Sequence, residues 1–160
     1  MDAKVKIDIK QVKPGMIWYE DNTFLFERLP DKKIKAVVEL VEKGVIYGDL
    51  TASELFDISE EHLSWFDAEN YFKKFHYPCE ENEEVVWYDL EQLKKVYVTY
   101  YRVIKTLNMV DKMFRTLGYW SFTEYYDPFA WYWNFSTGLK GFRNKFYEYH
   151  IRPVLALKVE

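Results

Sequence analysis

The segment Ala130-Trp131-Tyr132-Trp133-Asn134-Phe135 constrains this chain more than any other. Side chains alternate across a strand, so Trp131, Trp133 and Phe135 point to one side and Tyr132 and Asn134 to the other. Three large rings on one face are expected in a core, and so are Trp18 and Trp120. Ser136-Thr137-Gly138 then reads as a hairpin turn. Beyond it, Phe142, Asn144 and Phe146 alternate with Arg143, Lys145 and Tyr147. Ile151, Pro153, Leu155 and Leu157 alternate again and predict a last strand. Aromatic residues make up 20% of the chain and crowd into this quarter. Tyr and Trp carry large, rigid, amphipathic area, which suits a core or a recognition surface.

The first 50 residues also read as strands. Val5 to Ile9 alternates apolar with charged residues and predicts a short half-buried strand. Pro14-Gly15 marks a turn. Met16–Tyr19 and Thr23–Phe26 flank the polar Glu20-Asp21-Asn22 as a hairpin. Leu29-Pro30-Asp31 is a further turn, and Ile34 to Val41 with Gly44 to Tyr47 predicts a central strand pair. The middle is helical. Ser64 with Asp67 resembles a capping box ahead of Trp65, Ala68, Phe72 and Phe75, which share one helical face. Tyr77-Pro78-Cys79 ends that helix, and Glu80 to Glu84 reads as a solvated loop. Asp89 caps a second helix with Leu90, Leu93, Tyr97, Tyr101 and Ile104 on one stripe, running to about Leu107. Strands, two helices and strands again predict an α+β fold in a single domain over 1–160, with 1–15 as an N-terminal strand or extension.

Charge and cysteine content narrow the function. A net charge of -4 gives no electrostatic case for nucleic acid. No apolar run reaches the length of a membrane span. The N-terminus lacks an apolar signal core, so the expected compartment is the cytoplasm, or the cell surface if a leader was removed. Cys79 is the single cysteine, which excludes an intrachain disulfide.

Several motifs recur in a fixed order: Tyr19-Glu-Asp-Asn-Thr-Phe24, Lys35-Ala-Val-Val38, Leu63-Ser-Trp-Phe-Asp-Ala68, Trp87 to Tyr97, Tyr119-Trp-Ser-Phe-Thr-Glu-Tyr125, Ala130-Trp131, Asn134-Phe135, Gly138 and Arg152-Pro-Val154. In that order they resemble the bacterial C-type-lectin-like domains of the Lcl C-terminal family, over roughly Met16 to Leu157. Phe122, Asn22 and Tyr88-Asp89 depart from that family's pattern. The resemblance implies a C-type-lectin-like fold: two helices and mixed or antiparallel strands, terminal strands in one sheet, with Ile7 or Ile17 within one or two strands of Leu155. The same C-terminal frame is similar to that of target proteins of diversity-generating retroelements. It implies variable, ligand-binding positions at Tyr126, Phe129, Tyr132, Leu139, Phe142, Arg143, Tyr147 and Tyr149; if they form a binding face, all but Leu139 are expected to be at least partly exposed and to converge on one patch.

Catalytic and metal signals are sparse. The sugar-binding lectins hold calcium through several carboxylates, whereas here the strand reads Trp133-Asn134-Phe135 without the Asp that calcium needs. Formylglycine-generating enzymes, a distant relation by fold, use paired cysteines, and Cys79 has no partner. His62, His76 and His150 lack a metal-pair spacing and read as three separate histidines. The expectation is therefore a non-catalytic module, without metal or cofactor, binding a protein or other macromolecule. An enzyme or maturation factor of the formylglycine-generating type is one alternative. A structural component that self-associates into a homo-oligomer is the other.

Overall fold

A computed structural model describes residues 6–109 and 118–159. The fold is mixed α+β, and the described residues form two sheets, two α-helices and two short 3₁₀ turns. The strands are β1 (Ile17–Tyr19), β2 (Phe24–Leu25), β3 (Ile34–Glu42), β4 (Val45–Asp49), β5 (Glu61–Ser64), β6 (Glu83–Val86), β7 (Gly118–Glu124), β8 (Phe129–Asn134), β9 (Leu139–Asn144), β10 (Glu148–Ile151) and β11 (Val154–Lys158). Helix α1 (Trp65–Lys74) follows β5, and α2 (Leu90–Met109) follows β6. One sheet has the order β2-β1-β3-β4-β11-β6 and the other β5-β10-β7-β8-β9. Most pairs are antiparallel, and β7 with β10 is parallel. Cys79 is a free, exposed thiol, so no disulfide forms.

Local chemistry accounts for most of these elements. Lys13-Pro14-Gly15-Met16 turns with Gly15 at φ +91°, and the Met16 amide donates to Lys13. Positive φ after Pro is the type II pattern, which glycine adopts freely. Asn22 at φ +61° turns the first hairpin, and its side chain accepts a bond from Trp18 Nε1 at 2.8 Å. Lys43 and Gly44, both at positive φ, join β3 to β4. Ser64 accepts from the Asp67 amide and caps α1. Asp89 and Gln92 cap α2 reciprocally: each side chain accepts from the other's backbone amide, at 2.8 and 3.0 Å. Among its described side chains, the buried positions of α2 are Leu90, Leu93, Val96, Val103, Thr106 and Leu107. The expected stripe is thus partly right, with Val96 and Val103 nearer its centre than Tyr97 and Ile104; the Tyr101 side chain lies outside the described set.

Four expectations need correction. Val5 lies outside the described residues, and Ile9–Gln11 form a 3₁₀ turn in place of a strand. Asp8 accepts a bond from the Lys10 amide, so local turn chemistry takes the backbone groups a strand would use. Ile7 and Ile9 still pack on the core that holds Leu155 and Leu157. The acidic loop ends early, because Glu83 and Glu84 belong to β6 and pair with β11. Glu83 forms a buried ion pair with Lys35 that makes the strand position tolerable. The alternation from Phe142 stops at Asn144, where a turn over 145–147 intervenes. Finally, Ile151 to Leu157 is two strands in two sheets. Pro153 has no amide hydrogen for a ladder, and the chain changes sheet at Arg152-Pro153. β1 and β11 do share the six-stranded sheet, with β3 and β4 between Ile17 and Leu155.

The cores follow from this layering. Trp18, Ala36, Val38, Ile46, Leu155 and Leu157 cluster in the six-stranded sheet, and Val37 packs with Val103 and Leu107 of α2. Tyr119, Trp133 and Phe135 of the second sheet meet Leu93 and Val96 of α2. Trp65 and Ala68 of α1 pack with Trp120, Ala130 and Ile151. Among the described residues no helix is long and apolar enough to cross a membrane.

Candidate functional site

Strand register sorts the eight candidate residues. Across β8 and β9, Trp131 faces Phe142, Trp133 faces Lys140 and Tyr132 faces Gly141. Directly opposed residues share a face, and neighbours along a strand do not. Phe129, Trp131, Lys140 and Phe142 therefore lie on one face. Tyr132, Leu139, Gly141 and Arg143 lie on the other, where Tyr149 of β10 joins them beside Trp120.

On the first face, five rings touch in sequence. Tyr126 meets Phe129 with centroids 5.4 Å apart, Phe129 meets Phe142 at 5.7 Å, Phe142 stacks on Tyr125 at 4.7 Å, and Tyr125 meets Trp131 at 4.9 Å. Lys140 Nζ lies 5.0 Å from the Trp131 ring. Tyr126 is 60% exposed and Phe142 43% exposed. Trp131, expected in the core, is half-buried: it packs at the margin of the core that holds Trp133 and Phe135, against the exposed rings of Tyr125 and Phe142. The Trp133 indole N–H is buried without a hydrogen-bond partner among the described residues.

On the second face, Tyr132 and Tyr149 stack at 4.5 Å. Two glycines clear space for them. A Cβ on Gly118 would sit 2.6 Å from the Tyr149 ring, and one on Gly141 2.5 Å from the Tyr132 hydroxyl. Arg143 donates to the Tyr149 hydroxyl at 3.3 Å and lies over the exposed Tyr147 ring. Burial raises the Tyr149 pKa, and the Arg143 hydrogen bond opposes that rise. Leu139 is exposed at the start of β9.

The eight residues thus gather at the β8–β9 end of the sheet in two groups, one on each face. Tyr126, Phe129 and Phe142 form one group. Tyr132, Arg143, Tyr147 and Tyr149 form the other, with Leu139 on its side of the strand. Lys145 behaves differently from Arg143. It is buried, bonds Glu124 at 2.8 Å and lies 4.4 Å from the Trp65 ring. Asn134 accepts from the amides of Ser136 and Thr137 and so serves the hairpin turn.

Two arrangements escaped the sequence reading. His62 and His150 face each other across β5 and β10, with ring centroids 4.9 Å apart, so these two histidines are neighbours. A buried polar cluster also joins the two sheets. Arg152 bonds Glu39 of β3 and, at 2.9 Å, Glu60, while Asp49 of β4 lies 3.6 Å away. Tyr88 donates to Glu39 at 3.0 Å, and Tyr119 donates to Glu60. Burial pushes the Glu39 carboxyl up to about 7 against the pull of Arg152. Burial raises Asp49 as well. Burial opposes the Arg152 charge, but the carboxylates outweigh it and keep the guanidinium protonated. Beside the cluster is a cavity of about 20 Å³, lined by Glu39, Tyr88, Tyr119 and Arg152 among others. That is room for roughly one water. A sequence cannot reveal such a cluster, because its acids come from three separate segments.

Among the described residues, no group of three or more His, Cys, Asp or Glu is placed to hold a metal ion. The chemistry the β8–β9 end offers is aromatic contact on both faces, with Lys140 and Arg143 to meet anions. No protein-family model matches this chain, and no curated protein matches its sequence.

Proposed function

We propose that this protein is a non-catalytic recognition module whose β8–β9 end binds a protein ligand. The observation that carries the reading is the run of ring contacts from Tyr126 through Phe129, Phe142 and Tyr125 to Trp131, partly open to solvent. Contiguous exposed aromatic area is uncommon on an idle surface and marks interaction sites. Tyr, Trp and Arg are also the residues that dominate binding energy at protein interfaces. All three types are present here, and Arg143 has no carboxylate partner among the described residues. The finer reading is a C-type-lectin-like domain similar to the targets of diversity-generating retroelements. Its supports are the ordered motifs from Tyr19 to Val154 and the sharing of one sheet by β1 and β11.

Two experiments test this. Affinity capture should yield a partner whose binding falls by about 2 kcal/mol or more in Tyr126→Ala or Phe142→Ala. Stability in those variants should change little, within about 0.5 kcal/mol for exposed sites. Unchanged affinity in both variants would overturn the reading. The retroelement part rests on neighbouring DNA: a reverse transcriptase gene and an adenine-rich near-copy of the codons for 121–152 are expected. Their absence would remove that part and leave the binding surface to its own test.

A further inference from the structure

We propose that the partner of this surface contributes an extended, acidic segment that adds to β9 as a sixth strand. The proposal rests on the recognition reading above and specifies the ligand's form and charge. Among the described residues, β9 is the last strand of its sheet, paired with β8 on one side only. The other three edge strands are short: two residues in β2 and four each in β5 and β6, against six in β9. A long open edge offers a row of backbone donors and acceptors, and proteins ordinarily blunt such edges. β9 carries apolar residues on both sides of its edge, Leu139 at 67% and Phe142 at 43% exposed. An added strand would set alternate side chains against the Tyr126–Phe129–Phe142 rings on one face and against Tyr132, Arg143 and Tyr149 on the other. This explains how one ligand engages candidate residues that lie on opposite faces of the sheet. Strand addition takes affinity from the main chain and specificity from those alternate side chains.

Charge selects the occupant. From Leu139 to Lys145 the chain carries Lys140, Arg143 and Lys145 and no acid. Lys145 is committed to Glu124, whereas Lys140 rests on the Trp131 ring and Arg143 on a tyrosine hydroxyl. An incoming strand meets one exposed cation on each face. A second copy of β9 would bring Lys140 and Arg143 to the same seam with no carboxylate between them, which disfavours self-pairing. Acidic residues on the ligand strand supply the complement, and such attraction weakens with salt.

The test uses the full chain and three capped peptides of about eight residues. One carries Glu at both odd and even positions among Val and Tyr, so that a carboxylate lies on each face, one replaces each Glu with Lys, and one is the acidic peptide N-methylated at alternate positions. The acidic peptide should bind at least about tenfold tighter than the lysine peptide, and N-methylation should cost at least about tenfold, since it removes ladder donors. Binding should slow hydrogen exchange at β9 amides that face away from β8. The double variant Lys140→Glu/Arg143→Glu, checked for an unchanged melting profile, should prefer the lysine peptide. Equal binding of the acidic and lysine peptides overturns the proposal, and so does indifference to N-methylation. Failure of every peptide up to millimolar concentration also overturns it. In each case a captured partner that still loses affinity in Phe142→Ala keeps the recognition reading alive, so the two failures are distinguishable. A concentration-dependent dimer that the acidic peptide cannot dissolve would make a second copy the occupant and would likewise overturn the proposal.

Discussion

Replacing Glu39 with Gln should change how the stability of this protein depends on pH, and the structure sets the direction and size. Glu39 is completely buried between β3, Tyr88 and Arg152. Burial is the largest influence on its carboxyl, and it raises the pKa from 4.5 to about 7 although Arg152 opposes the rise. The unfolded chain releases this proton near 4.5, while the native state holds it until about 7. Between those values the native state binds more protons, so stability falls as pH rises. The contribution is complete below about 4.5 and lost on passing about 7, a span worth about 3 kcal/mol. Gln keeps the shape of the protonated acid and does not titrate. The stability of the variant relative to wild type should therefore climb by about 3 kcal/mol from pH 4.5 to 7.5 and then level off. Urea unfolding followed by tryptophan fluorescence measures this, with a constant m-value as the check that the unfolded state is unchanged. Asp49 and Glu60 are present in both proteins, so the difference reports Glu39 together with its coupling to Asp49 through the shared Arg152. A flat difference would refute the reasoning. A difference that falls with pH would show that the Glu39 carboxylate gains more from Arg152 than it loses to burial.

Other substitutions probe neighbouring parts of the argument. Arg152→Met strands two or three buried acids without their cation and should destabilise by about 3–5 kcal/mol at pH 7.5, read by the same urea titration. Gly48→Ala places a Cβ 2.7 Å from the Ala36 Cβ and 2.8 Å from the buried Trp18 ring, so the core must shift; a loss of about 1–3 kcal/mol is expected, and an unchanged melting temperature would contradict the packing. Trp133→Ala should cost about 3–5 kcal/mol by opening a cavity. Trp133→Phe should cost less than Ala by calorimetry, because it leaves a smaller cavity, while either change removes a buried donor that has no partner among the described residues.

What the sequence made legible was local. The Pro14-Gly15 turn, the Glu20-Asp21-Asn22 hairpin, the Ser64 cap and the Asp89 cap are decided by residues within four positions of one another. The alternation through Trp133 was equally direct, since a strand's period is fixed by its own backbone. Errors arose where distant segments decide. The Glu83-Glu84 pair reads as loop until Lys35 is seen to neutralise Glu83. Trp131 reads as core until its ring neighbours Tyr125 and Phe142 are seen to be exposed. Seven of the eight candidate positions, all but Leu139, were expected on one patch, yet their division between two faces depends on the β8–β9 and β7–β10 pairings. Ile151 to Leu157 reads as one strand because alternation continues through Pro153, although the missing amide hydrogen there was visible in advance.

The position of β11 has a consequence for synthesis on the ribosome. Residues 154–158 follow every other strand of their sheet in the chain, yet their strand lies between β4 and β6, hydrogen-bonded to both. Until it emerges, β4 ends in an open edge and β6 has no neighbour in its sheet. Arg152 emerges only just before it, so Glu39, Asp49 and Glu60 wait without their cation. Nascent chains with exposed strand edges are prone to mispairing. The long sequence separation of these contacts also slows their formation. The six-stranded sheet is therefore completed from its interior, and a nascent chain stalled before Val154 leaves the β4 edge open and β6 unpaired, the two positions that β11 fills in the finished sheet.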